Sequence, residues 1–599
     1  MELLITDRLH KGCIIGGQSP RLISMRKLSA REIAFARETT IRRYYLPNLN
    51  EYESEQFFKE FDKFWDQVIK PFGTDHPFWR NVVSSKMQEW ERSFAYLALI
   101  LFTLAQKSAK ESIYIVFVCS SLEEEDVCEE WGKKMGWKVH RRPYLSLPQR
   151  VRRIVQEIEN LKNFLKMTSI CLYKKWFSPI YKSEALLSNK QILINSLFYL
   201  NSFKNGKYID PFFGNIHEII KEKGYSVTYL CKPLDNFKES VKKTMEHREV
   251  SILLPYSLLP WSELIFLVFK VFLSRFEIRQ SFFRGCDFST LIKWKARCFD
   301  YYFNFDSEIY YAAVSNLCEK KNIYRLIQLY EGNVFERSSI QAFKQKCSGV
   351  TVGYSHGVIY PLNLKMRLTD YERSLRPEPD ILVCTGTESK RLIKLIGNRT
   401  TALIHSGCSL RYIPVDNDEG AQPNNKLNIL AAFDGAWSCA TVLDWLLEQA
   451  GGLKKYNVKL RAHPNVPLNI LLGQCINDLP RNFHQSEDSL KSDIESSFCV
   501  LYRQTSVGMQ ALLNGVPAIY LDIDAPLNAD PLMELKECKW IVRTPGELFD
   551  AIHEIISLTA DEKRAAIRNA IKYIKDYFAL SDSENVKHFY ADNNENTKD

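Results

Sequence analysis

The sequence predicts an α/β protein made of doubly wound units in tandem. Three observations support this fold class. The chain has 599 residues, which is too many for one hydrophobic core. Apolar, β-type runs alternate with helix-like stretches along most of it, as in proteins with parallel sheets. Many of these runs end in Gly, Ser, Asn or Asp, where doubly wound sheets place their ligands.

Changes in composition divide the chain into four parts. We expect an accessory α/β domain with a basic helical connector over residues 1–190. Two larger α/β domains are expected over residues 191–415 and 416–578, joined by the polar linker Val415–Lys426. Residues 579–599 are predicted to be a polar tail.

The accessory domain shows a strand–helix–strand pattern. Ser93–Ala105 is too short to span a bilayer and predicts a buried helix. Ser112–Cys119, Leu122–Met135 and a β-type run from Trp137 predict a small doubly wound unit. Arg141–Lys182 interleaves Lys and Arg with apolar residues, so it is either a solvated connector or a basic helix on an anionic membrane.

The first larger domain is predicted to begin with a buried strand, which a helix follows. This helix ends at Gly224, because glycine is a good C-cap residue. Its helix is predicted over Asn215–Lys223. Ser251–Leu273 is apolar, but prolines and charged residues interrupt it, which predicts a strand, a loop and a helix. The predicted strands are Ile192–Leu200, Tyr225–Cys231, Ile323–Tyr330, Gly349–Tyr354, Ile381–Cys384 and Ala402–Ile404.

The second larger domain repeats the rhythm of strand, polar turn and helix. Its predicted helices are Thr441–Gln449, Val507–Leu513 and a helical C-terminus, Pro545–Phe578. Its predicted strands are Leu427–Phe433, Val458–Arg461, Phe498–Tyr502 and Val516–Leu521.

Composition narrows the classes of partner. The net charge of +9 is a mild bias that suits an anionic ligand or an anionic membrane surface. No RNA-binding signature, zinc finger or long basic tail is present, so nucleic acid is not an expected partner. The 15 cysteines form no CxxC pair and predict reduced thiols, packed as small hydrophobes in a cytoplasmic protein.

The strongest local motif is Arg503-Gln504-Thr505-Ser506-Val507-Gly508, where a predicted strand meets a predicted helix. Free N–H groups at a helix start favour a phosphate, and Thr505 and Ser506 can add hydroxyl donors. The same two residues would equally cap the helix.

Two more turns belong to the same domain. His463, before Pro464, could donate to a phosphate oxygen as a leaving group departs, although a His before Pro is also common in plain turns. Asp434 and Gly435 could contact the donor or the acceptor, or could form an ordinary turn. We therefore take His463, Pro464, Thr505, Ser506, Asp434 and Gly435 as candidate donor-binding residues.

A family resemblance links these motifs. The order Tyr354-Ser355-His356-Gly357, Arg461-Ala462-His463-Pro464, then Thr505-Ser506 with Leu512-Leu513-Asn514-Gly515-Val516-Pro517 resembles the bacterial surface-polysaccharide GT-B glycosyltransferases. These include sialyl- and Kdo-type transferases and the CDP-glycerol polymer transferases, in which an HP motif and a Ser/Thr motif grip a cytidine nucleotide's phosphate. The resemblance covers Gln191 to Phe578 and implies a GT-B-like pair of Rossmann-type domains facing a cleft.

Two side chains are candidates for the catalytic base. Glu331 follows a predicted strand and could deprotonate an acceptor hydroxyl, act as a nucleophile in a retaining transfer, or only stabilise a helix start. The resemblance to CDP-glycerol-type enzymes implies His356 as the rival base, although it could also be a loop His bonded to backbone groups. The candidate substrate-binding residues are Gly332, Asn333 and Gly357, which are near these two residues in sequence, and Arg461 in the second larger domain.

No cofactor and no metal is expected. The chain has no GxGxxG after a strand, no GxxxxGK[ST] and no HExxH. Asp522-Ile523-Asp524 has the letters of a DxD motif, but that motif serves metal-dependent GT-A enzymes, which lack tandem Rossmann domains.

The resulting hypothesis is a metal-independent glycosyltransferase of lipopolysaccharide O-antigen or capsule biosynthesis. It would move an acidic sugar from a CMP-linked donor to a glycan or lipid-linked glycan, with peripheral contact to the cytoplasmic face of the inner membrane left open. Three alternatives remain: a CDP-alditol phosphotransferase, a non-catalytic sugar-nucleotide-binding protein and an epimerase of the same fold.

Overall fold

The computed structural model describes most of the chain. The described residues are 2–6, 21–24, 42–43, 45–71, 94–107, 114–118, 121–141, 148–179, 190–204, 206–247, 249–273, 280–298, 301–320, 322–396, 402–411, 427–435, 439–463, 466–472 and 479–591. Pro464, the linker after residue 415 and residues 592–599 lie outside them.

The N-terminal domain is a five-stranded parallel sheet with helices packed against it. Its elements are β1 (Glu2–Thr6), β2 (Arg21–Ser24), β3 (Arg42–Arg43), α1 (Glu51–Ile69), α2 (Phe94–Lys107), β4 (Tyr114–Val118), α3 (Leu122–Lys134) and β5 (Lys138–Arg141). The strand order is β3-β2-β1-β4-β5. This confirms the predicted accessory α/β domain and the buried helix within Ser93–Ala105.

The core of this domain reaches beyond the predicted boundary at residue 190. Phe57, Phe61 and Phe64 of α1 point to one side because they recur every three or four residues, and all are buried. Phe64 packs against Phe283 and Phe288, at ring-centroid distances of 5.4 and 5.2 Å. The N-terminal core therefore includes residues from the middle of the chain, because their large apolar side chains have no other place to be buried.

A basic helix, α4 (Gln149–Phe177), joins the first domain to the second. It confirms a helix within the predicted connector. Its inward face is partly polar, and Arg152 makes two hydrogen bonds to the Glu125 carboxylate, at 2.6 and 3.1 Å. No helix among the described residues is long and apolar enough to cross a membrane.

The middle domain contains a seven-stranded parallel sheet in the order β10-β9-β6-β13-β14-β15-β16. Its strands are β6 (Gln191–Phe198), β7 (Phe203–Lys204), β8 (Lys207–Tyr208), β9 (Ser226–Pro233), β10 (Ser251–Leu253), β11 (Phe282–Phe283), β12 (Cys286–Asp287), β13 (Ile323–Leu329), β14 (Val350–Ser355), β15 (Ile381–Cys384) and β16 (Leu403–Ser406). The pairs β7–β8 and β11–β12 are separate antiparallel hairpins.

Helices cover the faces of this sheet. They are α5 (Ile216–Glu222), α6 (Phe237–Glu246), α7 (Trp261–Leu273), α8 (Ser289–Cys298), α9 (Tyr301–Lys320), α10 (Val334–Lys346), α11 (Asp370–Ser374) and α12 (Thr387–Ile396), with short 3-10 turns at Leu200–Ser202, Pro255–Leu258 and Leu364–Met366. The apolar segment Ser251–Leu273 is the predicted strand, loop and helix.

The C-terminal domain has a six-stranded parallel sheet in the order β19-β18-β17-β20-β21-β22. Its strands are β17 (Asn428–Ala432), β18 (Asn457–Arg461), β19 (Phe483–Gln485), β20 (Cys499–Tyr502), β21 (Ala518–Leu521) and β22 (Lys539–Val542). Its helices are α13 (Cys439–Glu448), α14 (Leu468–Leu472), α15 (Leu490–Glu495), α16 (Val507–Leu513), α17 (Pro545–Ser557) and α18 (Ala560–Tyr577), and α19 (Ser583–Tyr590) follows.

The predicted polar tail needs correction. Residues 583–590 form α19, in which Val586 and Phe589 are buried in the core of the middle domain. The Arg325 guanidinium donates to the carbonyl of Phe589 at 3.1 Å. The helix forms here because its apolar residues lie three and four positions apart and share one face.

Both larger sheets have the doubly wound order, in which the first strand lies centrally and later strands are added on either side. Hydrogen bonds tie the two domains together: Tyr360 Oη to Gln504 Oε1 at 3.4 Å, and the Leu362 N–H to the Asn528 carbonyl at 3.0 Å. The protein thus has the predicted GT-B-like pair of Rossmann-type domains, with an additional N-terminal α/β domain.

Candidate functional site

The candidate site lies where the strand order of each larger sheet reverses. In the middle sheet that point is between β6 and β13, and Glu331 comes two residues after β13. In the C-terminal sheet it is between β17 and β20, followed by Asp434 and Arg503 respectively. Doubly wound sheets bind ligands in the crevice outside these strand ends.

Glu331 and His356 meet because β13 and β14 are paired neighbours in the sheet. His356 Nε2 lies 3.6 Å from Glu331 Oε1, and Lys365 Nζ lies 3.8 Å from Glu331 Oε2. A β-carbon at Gly357 would overlap with the Glu331 carboxylate, so a side chain at that position would displace the carboxylate from where it now lies. Two candidate residues predicted from separate motifs therefore form one cluster, and Lys365 joins it.

A second carboxylate holds the Glu331 loop in place. Glu336 Oε2 accepts hydrogen bonds from the N–H groups of Glu331 and Asn333, at 2.8 and 2.9 Å. Asn333 caps α10, and its Oδ1 accepts from Lys365 Nζ at 2.9 Å. Gly332 has a φ of +79° and lies against the Lys365 carbonyl, so a side chain there would be both strained and crowded. Gly332 and Asn333 therefore shape the loop that presents Glu331.

Burial and neighbouring charges favour the basic forms of Glu331 and His356 at neutral pH. Burial alone would raise the pKa of Glu331, but His356, Lys365, Asn333 and Arg411 outweigh it and hold that pKa below its usual range. Burial is the main cause that lowers the pKa of His356, and Arg411 and Lys365 add to it. Glu331 is therefore ionised and His356 neutral, so either can accept a proton.

Glu336 behaves differently from Glu331. Burial first, and the Glu331 charge second, raise the pKa of Glu336 to about 7. The two carboxyl groups consequently differ in ionisation at neutral pH, which leaves the charge on the one that faces His356.

An aromatic residue and a cation line the other side of His356. Phe212 packs edge-on against the imidazole, with ring centroids 4.8 Å apart. Asp210 Oδ1 fixes that loop by accepting from the N–H of Phe212, at 2.8 Å. The Arg411 guanidinium lies 5.5 Å from the Phe212 ring and lowers the pKa of both His356 and His463. Arg411 therefore lies between the two domains.

His463 and Gly435 are in contact on the C-terminal side of the cleft. A β-carbon at Gly435 would lie 3.0 Å from His463 Nδ1, so the imidazole covers the turn after β17. Burial, followed by the charge of Arg411, lowers the pKa of His463. Asp434 is buried beside this turn. The predicted candidates His463, Asp434 and Gly435 are therefore together, while Pro464 lies outside the described residues.

Thr505 and Ser506 follow β20, and β18 with His463 lies on the other side of β17. The two motifs are thus two strands apart at one sheet edge, or about 10 Å at the usual strand spacing. Ser506 is the N-cap of α16, and Thr505 Oγ1 accepts from the Val507 N–H at 3.3 Å. Thr505 therefore makes a capping hydrogen bond, the Ser506 side chain makes no capping hydrogen bond, and the phosphate-binding role of both stays a prediction.

Arg461 is held by its own domain. Its Nη1 donates to Asp493 Oδ2 at 2.7 Å and to the Asp488 carbonyl at 2.8 Å. Because Asp493 is fully buried, this ion pair fastens α15 to the sheet. The predicted contact of Arg461 with substrate stays a prediction, and its present partners give it a structural task.

Arg503 belongs to the motif before α16 but is not among the predicted site residues, and it lines a pocket at the C-terminal switch point. The pocket has a volume of about 10 Å³, room for roughly one water molecule, and is bounded by Ala432, Phe433, Asp434, Tyr502 and Arg503, among others. Arg503 is buried, and its Nη2 donates to the Asp524 carbonyl at 3.0 Å. Its Nε and Nη1 have no hydrogen-bond partner among the described residues, so they are available to an anion.

The DxD-like carboxylates hold the N-terminal domain. Asp522 Oδ2 accepts from Asn48 Nδ2 at 2.5 Å and from Arg543 Nε at 2.9 Å. Asp524 Oδ1 accepts from the Leu46 N–H at 2.8 Å. These contacts give Asp522 and Asp524 a role in domain docking.

Comparisons with known proteins find only distant similarity, and that similarity is structural. No protein-family model matches the chain, and no curated protein sequence matches it. Several solved structures are similar at low identity. The UDP-GlcNAc 2-epimerase of Neisseria meningitidis, bound to UDP-GlcNAc, is 13% identical with a TM-score of 0.38, and the match covers 64% of this chain and 98% of that one.

Two further solved structures are similar to this chain at comparably low identity. The α,α-trehalose 6-phosphate synthase of Burkholderia multivorans is 10% identical, with a TM-score of 0.39 and coverage of 65% of this chain and 93% of that one. MurG of Acinetobacter baumannii is 11% identical, with a TM-score of 0.33 and coverage of 65% and 99%. Identities this low leave substrate and reaction to be inferred from the site itself.

Proposed function

We propose that this protein is a glycosyltransferase that uses a nucleotide-sugar donor. The observation that supports it best is the pairing of an ionised Glu331 with a neutral His356 at the switch point of the middle sheet. At the switch point of the C-terminal sheet, Arg503 has N–H groups that lack partners among the described residues. A sugar transfer needs both parts: a base for the acceptor hydroxyl and positive groups for the departing phosphate.

The residues divide the reaction between the two domains. Glu331 accepts the proton of the acceptor hydroxyl, and His356 and Lys365 position its carboxylate. On the donor side, His463 and Arg503 bind phosphate oxygens, with Thr505 and Ser506 at the start of α16. Asp434 and Gly435 form the floor of this donor site beneath His463. No step in this scheme requires a metal ion.

The proposed donor is a CMP-linked acidic sugar. The order of the motifs around His356, His463 and Ser506 supports the cytidine nucleotide, as in the surface-polysaccharide transferases that the sequence resembles. Lys365 and Arg411 support the acidic sugar, because two cations near the cleft would attract a carboxylate. The product would be a surface glycan such as an O-antigen or capsule. A CDP-alditol phosphotransferase is the alternative, in which the phosphate stays in the product.

Nucleotide binding is the first prediction to test. CMP or CDP is expected to raise the free energy of unfolding by about 2.7 kcal/mol at 100 times its dissociation constant. His463→Ala should abolish this gain, because the imidazole that covers the turn after β17 is removed. The measurement is thermal unfolding with CMP, CDP, UDP, GDP and ADP in turn.

The matched control is His484→Ala, which removes an exposed imidazole from β19 of the same sheet. It should keep the full response to the nucleotide. Stabilisation by UDP or GDP alone would contradict the cytidine assignment, and no response to any nucleotide would contradict the proposed donor site. Release of CMP with the phosphate retained in the product would favour the phosphotransferase.

An exposed apolar surface supports contact with a membrane. One side of α4 exposes six aliphatic residues spaced three, four or seven positions apart, while its buried side contains Arg152, Gln156 and Asn160. On α7, Phe266, Phe269 and others are at least half exposed. The exposed α4 residues are Val151, Ile154, Ile158, Leu161, Leu165 and Leu172, and those of α7 are Trp261, Ile265, Phe266, Phe269, Phe272 and Leu273.

The two helices form one surface, and its charge indicates the partner. Phe164 of α4 packs on Phe272 of α7, with ring centroids 4.8 Å apart. Exposed Lys162 and Lys166 lie along α4. Apolar side chains bordered by Lys, with Trp and Phe among them, are typical of helices that lie in an anionic lipid interface. We therefore propose that this surface rests on an anionic bilayer, where a lipid-linked acceptor would be found.

Vesicle binding tests this surface. The full-length protein should sediment with phosphatidylglycerol vesicles and not with phosphatidylcholine vesicles. Phe266→Ser with Phe269→Ser should lower the bound fraction several-fold, because apolar area that would enter the lipid is removed. The control, Ile541→Ser with Ile556→Ser, removes two exposed apolar residues of the C-terminal domain and should bind as the parent does.

Two outcomes would contradict the membrane assignment. One is equal sedimentation of the Phe variant and the parent. The other is a change in oligomeric state of the Phe variant without a change in vesicle binding, which would show that a second copy of the chain covers this surface.

A further inference from the structure

A second cluster of ligand-type side chains shares no residue with the cleft. His217 and Glu218 lie on α5, and Glu249 lies between α6 and β10. One ligand atom of each of these three residues lies within 4.8 Å of the other two. We define His217, Glu218, Glu249 and the neighbouring His247 as the α5 cluster.

His217 is oriented as a metal ligand would be. Its side chain is 1% exposed, and Nδ1 lies 3.3 Å from the Tyr229 hydroxyl. In the tautomer that donates Nδ1–H to that hydroxyl, Nε2 carries the lone pair. Nε2 is buried and has no hydrogen-bond partner among the described residues. A histidine whose other nitrogen is fixed by an outer partner is the usual arrangement in metal sites.

His247 brings a second imidazole to the same carboxylate. Its Nε2 lies 3.9 Å from Glu249 Oε2, which is too far for a hydrogen bond. This nitrogen is also buried without a hydrogen-bond partner in the described part of the chain.

Two lysines border the cluster without filling it. Lys221 Nζ donates to the backbone carbonyl of Glu249 at 2.9 Å, and Lys207 Nζ lies 3.7 Å from Glu218 Oε1. Neither ammonium forms an ion pair with the Glu249 carboxylate within the described part of the chain. Two buried imidazole nitrogens that have no hydrogen-bond partner among the described residues therefore lie near an exposed carboxylate, and such buried nitrogens are costly to leave unpaired.

We propose that the α5 cluster binds a divalent transition-metal ion, with Zn²⁺ as the best fit. One imidazole nitrogen of His217 and carboxylate oxygens of Glu218 and Glu249 lie close together, and the neighbouring His247 would add the second imidazole of a tetrahedral Zn²⁺ site. Ca²⁺ and Mg²⁺ prefer oxygen ligands only, so the two histidines exclude them. The ion would fasten α5 to the segment before β10 and would be structural, apart from the cleft chemistry.

The site would also stabilise the loop that faces His356. The Tyr208 ring lies near both imidazoles, with its centroid 6.3 Å from that of His217 and 6.2 Å from that of His247. Tyr208 Oη donates to Asp210 Oδ2 at 2.9 Å, and Asp210 holds the Phe212 backbone. A metal ion at the α5 cluster would therefore restrict the motion of Tyr208 and Asp210, which hold the backbone of Phe212.

Metal content tests the proposal directly. The full-length protein, loaded with Zn²⁺ and dialysed, should retain about one equivalent by elemental analysis and should gain thermal stability with Zn²⁺. Substitution with Co²⁺ should give the intense visible absorption of a tetrahedral site. His217→Ala and Glu249→Gln should each lose the bound metal and the thermal shift. Glu249→Gln alters an exposed residue and is expected to fold even if His217→Ala does not.

The matched control is again His484→Ala, which should keep the full equivalent because it lies in the other large domain. No retained metal and no Zn²⁺-dependent shift in the parent protein would overturn the proposal. So would a full equivalent in Glu249→Gln and in His247→Ala. These readouts need no sugar donor, so they stand or fall independently of the proposed transferase activity.

Discussion

Glu331→Gln is expected to lower kcat for sugar transfer by about 10²–10⁴-fold, with little change in the KM for the donor. The glutamine keeps the shape of the side chain but cannot accept the proton of the acceptor hydroxyl. Donor binding should survive because His463, Gly435 and Arg503 belong to the other domain. The measurement is steady-state release of nucleotide with a saturating acceptor.

A neighbouring variant separates the base from its support. Glu336→Gln keeps the hydrogen-bond acceptor for the Glu331 and Asn333 N–H groups through its amide oxygen, so it should lose far less activity than Glu331→Gln. Nearly equal losses in the two variants would assign the effect to the shape of the loop. Full activity in Glu331→Gln would remove Glu331 as the base.

The pH profile distinguishes Glu331 from His356. Both are in their basic forms at neutral pH, so activity should fall on the acid side as the base becomes protonated. With Glu331 as the base, the decline comes below the usual range of a glutamate, because burial, which raises its pKa, is outweighed by His356, Lys365, Asn333 and Arg411. His356→Gln should then weaken activity without abolishing the acid limb. Disappearance of that limb in His356→Gln would instead make the imidazole the base.

Much of the fold could be predicted from local sequence. The ten strands predicted with bounds in the two larger domains match the structure to within two residues, because buried parallel strands are continuous apolar runs. Strands β19 and β22 have no counterpart among the predictions. Glu331 and His356 follow strands that are adjacent in the sheet, so their meeting follows from doubly wound topology. His463 and Gly435 could be associated for the same reason.

Other features depend on contacts that no local pattern records. Lys365 and Arg411 lie in connecting segments that contain no sequence motif. They reach the cleft only because these segments fold back over it. Arg503 looks from sequence like the end of a strand, and its value as an anion ligand depends on burial. The apolar residues of α19 share one face but follow a polar stretch, and the prediction of a tail was wrong for that reason.

Arg337→Met is expected to have the largest effect on stability, a loss of about 3–5 kcal/mol in the free energy of unfolding. Arg337 lies near the start of α10, directly after Glu336, whose carboxylate holds the Glu331 loop. The Arg337 Nη1 donates to Glu372 Oε1 at 3.1 Å, and both side chains are almost fully buried. Removing the guanidinium leaves the Glu372 carboxylate in the interior without its opposite charge. Thermal and urea-induced unfolding measure the loss.

The double variant Arg337→Met with Glu372→Gln decides whether charge is the cause. A buried carboxylate is costly only while it stays ionised and without its partner, so neutralising it should recover much of the stability. The amide oxygen introduced by Glu372→Gln would still accept the Thr369 N–H, which keeps the start of α11 capped. Because α11 follows the turn that carries Lys365, we also expect the single variant to disturb the Lys365–Glu331 contact and to lower activity. If the double variant is as unstable as the single one, the loss comes from the packing of the Arg337 side chain and not from the unpaired charge.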